Sequence, residues 1–138
     1  MKKYGLHLFV LVAITSLLCG CTDNRVKAEL GQEFSLAIGQ SAMITGENME
    51  ITFEEVTEDS RCPKGVECVQ EGIVVCRMLI TEGTTSYGID LAQTGLSTGY
   101  TQETYRSYRF TFKVEPYPEP GKDILSSEYR ILLEISKL

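Results

Sequence analysis

The sequence is poor in the side chains that most enzymes use for catalysis. It contains no tryptophan and a single histidine, His7, among 138 residues. His7 lies in an N-terminal segment that we expect to be removed, so the mature chain would have no imidazole. Ser-His and Cys-His catalysis and histidine-ligated metal sites are therefore excluded.

Positive charge is also scarce. Lysine and arginine number 13 against 19 aspartate and glutamate residues, which gives a formal net charge of −6. A net negative chain disfavours nucleic acid and broad electrostatic contact with anionic lipid headgroups. We therefore expect no nucleic-acid partner, and we predict no cofactor and no metal. The length and the 43% hydrophobic content suit one small globular domain.

Residues 1–20 have the features of a signal peptide. Lys2 and Lys3 give a basic start, and residues 6–18 are almost wholly apolar. That run is too short to span a bilayer comfortably, because spanning takes about 20 apolar residues. A basic start, a short apolar run and small residues before a cleavage site are typical of a secreted protein.

The end of this segment resembles the lipobox of prokaryotic lipoproteins. Residues 18–21 read Leu-Cys-Gly-Cys, an aliphatic residue and two small residues before a cysteine. The resemblance implies that Cys21 is acylated and becomes the N-terminus, which places the protein in the cell envelope on the extracytoplasmic side of a membrane. The alternative is an ordinary signal peptide in which Cys21 is incidental. We interpret the polar residues 21–32 as a lipid-anchored tether and residues 33–138 as the folded domain.

The remaining chain predicts an all-β domain. Met49, Ile51 and Phe53 alternate with polar residues, and residues 108–115 alternate in the same way, as is typical of half-buried strands. Residues 73–80 are nearly continuously apolar, as expected for a central strand. No stretch longer than ten residues has a helical period. We therefore predict a single antiparallel β-sandwich of six to eight short strands, with a small β-barrel as the alternative.

Three cysteines remain after acylation of Cys21, in a compartment where disulfides persist. Cys76 alternates with the apolar residues of the 73–80 strand, so we expect it to be reduced and buried in the core. Cys62 and Cys68 flank a loop that contains proline and glycine, and we pair them. A ring this small contributes roughly 2 kcal/mol. A zinc site would need four ligands, and three thiols without histidine do not supply them.

The first cysteine of this pair belongs to a distinctive stretch. Residues 58–63 read Glu-Asp-Ser-Arg-Cys-Pro, with Cys68 five residues after the proline and Gly72 beyond it. This stretch resembles a motif of small secreted or lipid-anchored prokaryotic β-domains that have no assigned activity. Such sequences often carry a tryptophan two residues after the second cysteine, where this chain has Gln70. The resemblance implies a β-fold and a disulfide, and no reaction.

Four acids lie close together in the same region: Glu54, Glu55, Glu58 and Asp59. Paired carboxylates can hydrolyse glycosides, and several oxygens in a loop can bind calcium. Strand alternation predicts Glu54 and Glu55 on opposite faces, where they could not act on one substrate as a catalytic pair. No calcium-loop spacing is present. We favour a solvated strand end whose acids pair with Arg61, with Asp59 and Ser60 capping the turn. Calcium binding by residues 54–59 stays open.

Tyrosines in polar surroundings are the candidate binding residues. Residues 94–107 are rich in glycine, threonine and serine and predict a long loop that carries Tyr100 and Tyr105. Exposed tyrosines supply contact area with few torsions to freeze. Tyr117 lies among prolines after the next strand and is a third candidate, whereas Tyr108 begins that strand and should be core. The partner would be a protein or a glycan of the envelope.

The hypothesis from sequence is therefore a membrane-anchored extracytoplasmic lipoprotein that acts as a binding or accessory module and is not an enzyme. One alternative is a carboxylate-dependent envelope hydrolase. The other is a purely structural envelope protein.

Overall fold

The computed structural model describes residues 25–95 and 99–138. Nine strands and one 3₁₀ turn, Ser126–Glu128, lie in these ranges. The strands are β1 (Arg25–Ala28), β2 (Glu33–Ala37), β3 (Ser41–Ile44), β4 (Met49–Asp59), β5 (Ile73–Glu82), β6 (Thr85–Thr94), β7 (Thr101–Tyr105), β8 (Tyr108–Glu115) and β9 (Arg130–Lys137). No helix in these ranges is long and apolar enough to cross a membrane. The predicted signal peptide and Cys21 lie outside the described residues.

The strands form two sheets that share one core. The first sheet has the order β1-β3-β4-β5-β6, and the second has the order β2-β9-β8-β7. The β1–β3 pair is parallel, and all other pairs are antiparallel. Neither sheet closes on itself within the described ranges. The predicted sandwich is confirmed, and the barrel alternative is wrong.

Strand alternation places the apolar residues between the sheets. In β8, Phe110, Phe112 and Val114 are buried, and the residues between them face outward. In β5, and in β4 as far as Phe53, every second residue is buried in the same way, as expected of strands with one face on a core. The largest fully buried side chains come from both sheets: Phe53, Phe110, Phe112, Leu36, Ile44, Met49, Ile51, Met78, Ile80, Leu91, Ile131 and Leu133.

Two strands lie where the sequence predicts none. Strand β1 occupies part of the predicted 21–32 tether, so residues from Arg25 onward belong to the folded domain, which was predicted to begin at residue 33. Strand β7 occupies part of the predicted 94–107 loop. Both are short edge strands: β1 reads Arg-Val-Lys-Ala, and β7 reads Thr-Gln-Glu-Thr-Tyr. Strands this short hold at most two apolar residues, which is too few to establish an alternation in the sequence.

The two ends of the sandwich differ in construction. The hairpin end carries three tight connections, at residues 45–48, 83–84 and 106–107. The opposite end, which we call the cleft end, is where β4 ends at Asp59 and β8 ends at Glu115. Before it reaches the cleft end, β4 has two register shifts against β5, the first between Phe53 and Glu55. This irregularity confirms the break in alternation after Phe53, which the sequence suggested as a β-bulge.

Candidate functional site

A buried ion pair lies at the cleft end, inside the Glu-Asp-Ser-Arg-Cys-Pro stretch. Arg61 is only 4% exposed, and its Nε and Nη2 donate to the two carboxylate oxygens of Asp59 at 2.8 and 2.6 Å. The hydroxyl of Tyr129 donates to the same carboxylate at 2.9 Å. Burial, followed by this hydrogen bond, raises the pKa of Tyr129 to about 12. The predicted pairing of Asp59 with Arg61 is correct, but the predicted solvated environment is wrong.

The Arg61 guanidinium also completes the hydrogen bonding of strand β8. Strand β7 pairs with β8 only as far as Phe112, so the backbone groups beyond Phe112 have no strand beside them on that side. Arg61 donates to the carbonyl oxygens of Val114 at 3.1 Å and Pro116 at 3.0 Å. The buried Gln93 accepts a hydrogen bond from the Val114 amide at 3.0 Å. Two polar side chains, one from β6 and one from the loop after β4, therefore replace the missing strand, which accounts for their burial.

Tyr117 fastens the proline-rich segment after β8 to the rest of this end. Its hydroxyl lies 2.8 Å from the carbonyl oxygen of Cys62 and 2.5 Å from that of Gly95. Its ring lies under the guanidinium of Arg61, at 5.3 Å from the ring centroid. The hydroxyl of this candidate binding residue is thus satisfied internally, and only its ring is free to contact a ligand.

Two glycines allow the chain segments of this end to approach each other. A Cβ at Gly72 would lie 1.7 Å from the carbonyl oxygen of Ser60, and Gly72 has a φ of +69°. A Cβ at Gly95 would lie 1.8 Å from the carbonyl oxygen of Glu71. The two glycines are joined by a hydrogen bond from the Gly95 amide to the Gly72 carbonyl at 2.9 Å. Glycine is therefore sterically required at both positions.

The predicted disulfide is confirmed. Cys62 and Cys68 are bonded, and Cys76 is free and buried, as expected from its place in β5. Burial raises the pKa of the Cys76 thiol to about 12, so the thiol is inert as a nucleophile while the domain is folded. The amide of Lys64, within the disulfide loop, donates to the carbonyl of Pro118 at 3.0 Å. The disulfide loop is thereby attached to the proline-rich segment.

A cleft of about 1060 Å³ lies between these two attached segments. The disulfide loop contributes one wall, and the proline-rich segment and the 3₁₀ turn contribute others. The floor includes the ends of β8 and β9. The lining residues are Cys62, Pro63, Lys64, Gly65, Val66, Gln93, Gly95, Lys113, Val114, Glu115, Pro116, Tyr117, Lys122, Ser127, Glu128 and Arg130. Residues 96–98, which follow Gly95, lie outside the described ranges.

The other two candidate tyrosines do not line this cleft. Tyr100 is 48% exposed, as predicted. Its hydroxyl donates a hydrogen bond to Glu33 on β2, the opposite edge strand of the same sheet, and this bond is the main reason that the pKa of Tyr100 is raised. The hydroxyl is therefore engaged within the domain, although the ring remains exposed.

The exposed loop position predicted for Tyr105 is wrong. It lies in β7 and is half-buried against the core. Its ring packs on Tyr87 with centroids 5.5 Å apart, and the guanidinium of Arg106 lies 5.6 Å from its centroid. Tyr105 is therefore a packing residue of the hairpin end. Tyr108, predicted as core, is half-buried, and its hydroxyl donates to Glu47 at 3.0 Å.

The acids before Asp59 are exposed. Because β4 is irregular here, Glu54 and Glu55 do not alternate as predicted: both are exposed. The hydrogen bond and charge of Asp90 are the main causes that raise the pKa of nearby Arg77, and the charges of Glu55 and Glu54 add to this effect. Ser60 donates to Glu58 at 3.0 Å, and Asp59 is held by Arg61. A hollow of about 260 Å³ lies beside Glu55, Glu58 and Asp59. In the described ranges, no three His, Cys, Asp or Glu side chains are arranged to hold a metal ion.

The predicted turn cap is present. The Asp59 carboxylate accepts a hydrogen bond from the Arg61 amide at 3.3 Å. The Ser60 hydroxyl accepts from the amide of Ile73 at 3.1 Å. These bonds fix the chain at the point where it leaves β4 and enters the disulfide loop.

Comparisons with known proteins gave no further assignment. No family model, curated protein or solved structure matched the chain significantly. The account of function therefore depends on the geometry and charges of the cleft end.

Proposed function

We propose that the protein is a lipid-anchored envelope module that binds its ligand or partner in the cleft. The observation that carries this proposal is the cleft itself. Its volume is about 1060 Å³, at the upper limit of ordinary ligand sites, which measure roughly 300–1,000 Å³. Apolar and charged side chains both line it, the combination found in binding sites.

The construction of the walls supports a binding role. One wall is closed by the Cys62–Cys68 bridge, and the opposite wall is fastened by the Tyr117 hydroxyl and by Arg61. A site whose walls are held before a ligand arrives loses less conformational entropy on binding. Since a sandwich needs no cleft for its stability, these fixed walls favour binding over the purely structural alternative.

The proposed anchor would hold the domain close to the membrane. Acylation of Cys21 is supported by the Leu-Cys-Gly-Cys sequence at residues 18–21, and a structural disulfide is typical of proteins outside the cytoplasm. Strand β1 begins at Arg25, four residues after Cys21. Four residues span at most about 14 Å. The module would therefore act on ligands near the membrane surface.

Anchoring is tested with detergent-phase partitioning and mass spectrometry of the N-terminal peptide. We expect the natural chain to enter the detergent phase and to carry acyl groups on Cys21. The Cys21→Ala variant should remain in the aqueous phase. A free Cys21 thiol, or an intact Met1 in the mature protein, would contradict the proposal.

Binding in the cleft is tested by filling it. Ser127 is exposed and lines the cleft, so Ser127→Trp should obstruct it with little effect on folding. Ser107→Trp is the matched control, because Ser107 is an exposed serine at the hairpin end of the same sheet. The eight residues of β8 separate the two ends by about 26 Å.

Each purified variant is immobilised and incubated with detergent-solubilised envelope. We expect the natural chain and Ser107→Trp to retain the same envelope components and Ser127→Trp to lose most of them. Equal retention by both tryptophan variants, at equal urea midpoints, would show that the cleft is not the binding site.

A further inference from the structure

The charge of the cleft is opposite to that of the chain. Four of its lining side chains are cationic, namely Lys64, Lys113, Lys122 and Arg130, and two are anionic, Glu115 and Glu128. The chain as a whole has a formal charge of −6. Cations are therefore concentrated where a ligand would be enclosed.

Both acids of the cleft already have hydrogen-bond donors. Lys113 Nζ contacts Glu115 Oε1 at 2.7 Å, as an ion pair on the outer face of β8. Glu128 Oε2 accepts a hydrogen bond from the amide of Leu125 at 2.8 Å, at the start of the 3₁₀ turn. Glu115 is thus neutralised by Lys113, whereas Glu128 keeps its negative charge because a backbone amide is neutral. With three further cations, the cleft still has an excess of two positive charges.

Three cations of the cleft have no carboxylate partner within the described residues. Lys64 and Lys122 are exposed and belong to no ion pair there. Arg130 donates through Nη1 to the carbonyl oxygens of Ser127 at 2.9 Å and Tyr129 at 2.7 Å. These bonds orient its guanidinium without neutralising its charge, because carbonyl oxygens are neutral.

The same cleft offers apolar surface. Pro63 and Val66 line it from the disulfide loop, and Pro116 and the ring of Tyr117 line it from the opposite side. Val66 is 44% exposed. A small inorganic ion would leave this surface uncovered, whereas a ligand with an apolar part would cover it.

We propose that the cleft binds an organic oxyanion, a ligand that carries a carboxylate or phosphate group beside an apolar part. The inference rests on the proposed binding function and adds the chemical class of the ligand. The oxyanion is held among Lys64, Lys122 and Arg130, and the apolar part lies against the prolines and Tyr117.

The test uses three small probes that share an aromatic ring and differ in charge. Phenyl phosphate and phenylacetate carry the two oxyanions, and benzyl alcohol is the neutral control. Each is titrated by calorimetry into the full-length protein in non-ionic detergent at 50 mM NaCl. We expect both anions, or one of them, to bind more tightly than benzyl alcohol. Raising the salt concentration should weaken the binding, because exposed charges are screened.

Charge-removing variants locate the binding. In the double variant Lys64→Gln/Lys122→Gln, two weak exposed charge interactions are lost, so the Kd of the anion should rise about fivefold. The control double variant Lys27→Gln/Arg109→Gln removes the same charge from exposed positions outside the cleft, and its Kd should not change. Both doubles should keep the urea midpoint of the natural chain, because the four side chains are exposed.

The outcomes separate this inference from the proposed function. Binding of phenyl phosphate alone or phenylacetate alone supports the inference and identifies the group. The inference is overturned if neither anion binds, or if benzyl alcohol binds as tightly as the anions. It is also overturned if the two double variants change the Kd of the anion equally. If Ser127→Trp still abolishes retention of envelope components in that case, the proposed function stands and the ligand is not an oxyanion.

Discussion

Two arginines at opposite ends of the sandwich make similar contacts in different surroundings. Arg61, at the cleft end, pairs with Asp59 at 2.6 Å and lies over the ring of Tyr117, and the two charged side chains are 1% and 10% exposed. Arg106, at the hairpin end, pairs with Glu82 at 3.0 Å and lies over a tyrosine ring, but its pair is 51% and 33% exposed. Water can replace the partner of Arg106 and cannot replace the partner of Arg61. The same pair of contacts is therefore a fixed part of the structure at one end and a weak surface interaction at the other.

The largest expected effect is the difference in stability between variants that lack one or the other arginine. Arg61→Met leaves the Asp59 carboxylate buried without its cation, and we expect a loss of about 3–5 kcal/mol in the free energy of unfolding. Arg106→Met removes an exposed pair, with an expected loss of at most about 1 kcal/mol. Urea unfolding of both variants measures the difference. Equal losses would show that the buried ion pair of Arg61 contributes no more to stability than the exposed pair of Arg106.

The close chain approach at the cleft end predicts a second contrast, between glycines. Gly72→Ala would place a Cβ against the Ser60 carbonyl. Gly31 has a similar positive φ, +75° against +69°, but a Cβ there would have no atom within 4 Å. The backbone strain is common to both variants. The clash should therefore make the loss in the free energy of unfolding about 1–3 kcal/mol larger for Gly72→Ala than for Gly31→Ala. Thermal unfolding of the two variants gives the difference. If both melt at the same temperature, residues 60 and 72 are farther apart in solution.

The tyrosine rings give a smaller contrast. Tyr105→Ala removes a half-buried ring that packs on Tyr87, and we expect a loss of about 1–2 kcal/mol. Tyr100→Ala removes an exposed ring and should change stability by no more than about 0.5 kcal/mol. Urea midpoints decide between these values. A small loss for Tyr105→Ala would restore the sequence-based hypothesis that this ring serves recognition.

The smallest expected effect concerns pH at the hairpin end. Hydrogen bonds from Lys137 and then Tyr108 hold the pKa of Glu47 below its ordinary value of 4.5. Because the unfolded chain binds this proton more readily, the stabilisation is present above about pH 4.5 and is lost as the pH falls through the folded pKa. The natural chain should therefore exceed Glu47→Gln in stability at pH 6 and approach it at pH 3. A constant difference between those pH values would exclude this carboxylate as the cause.

The burial of residues in strand interiors was predictable from sequence, whereas the burial and the long-range contacts of residues at the cleft end were not. Alternation identified the core face of β8 and the free Cys76, because both depend on a local period of two. The burial of Arg61 depends on Val114 and Pro116, which are more than fifty positions away, and no local pattern carries that information.

The residues of the candidate site were also predictable only in part. Tyr117 and the disulfide were selected from sequence, and both form part of the cleft. The cations Lys64, Lys122 and Arg130 come from three separate segments of the chain, so their convergence depends on the fold. Tyr105 was assigned to a loop because polar residues surround it, but such residues also suit an edge strand.

Site-specific cross-linking tests the central claim most directly. A photoreactive benzoylphenylalanine replaces Ser127 at the cleft end or Ser107 at the hairpin end, and the protein is irradiated in its own envelope. If the cleft end is the binding end, position 127 gives adducts of defined mass and position 107 gives none above the unirradiated background. Adducts from position 107 alone, or equal adducts from both positions, would contradict the assignment of binding to the cleft.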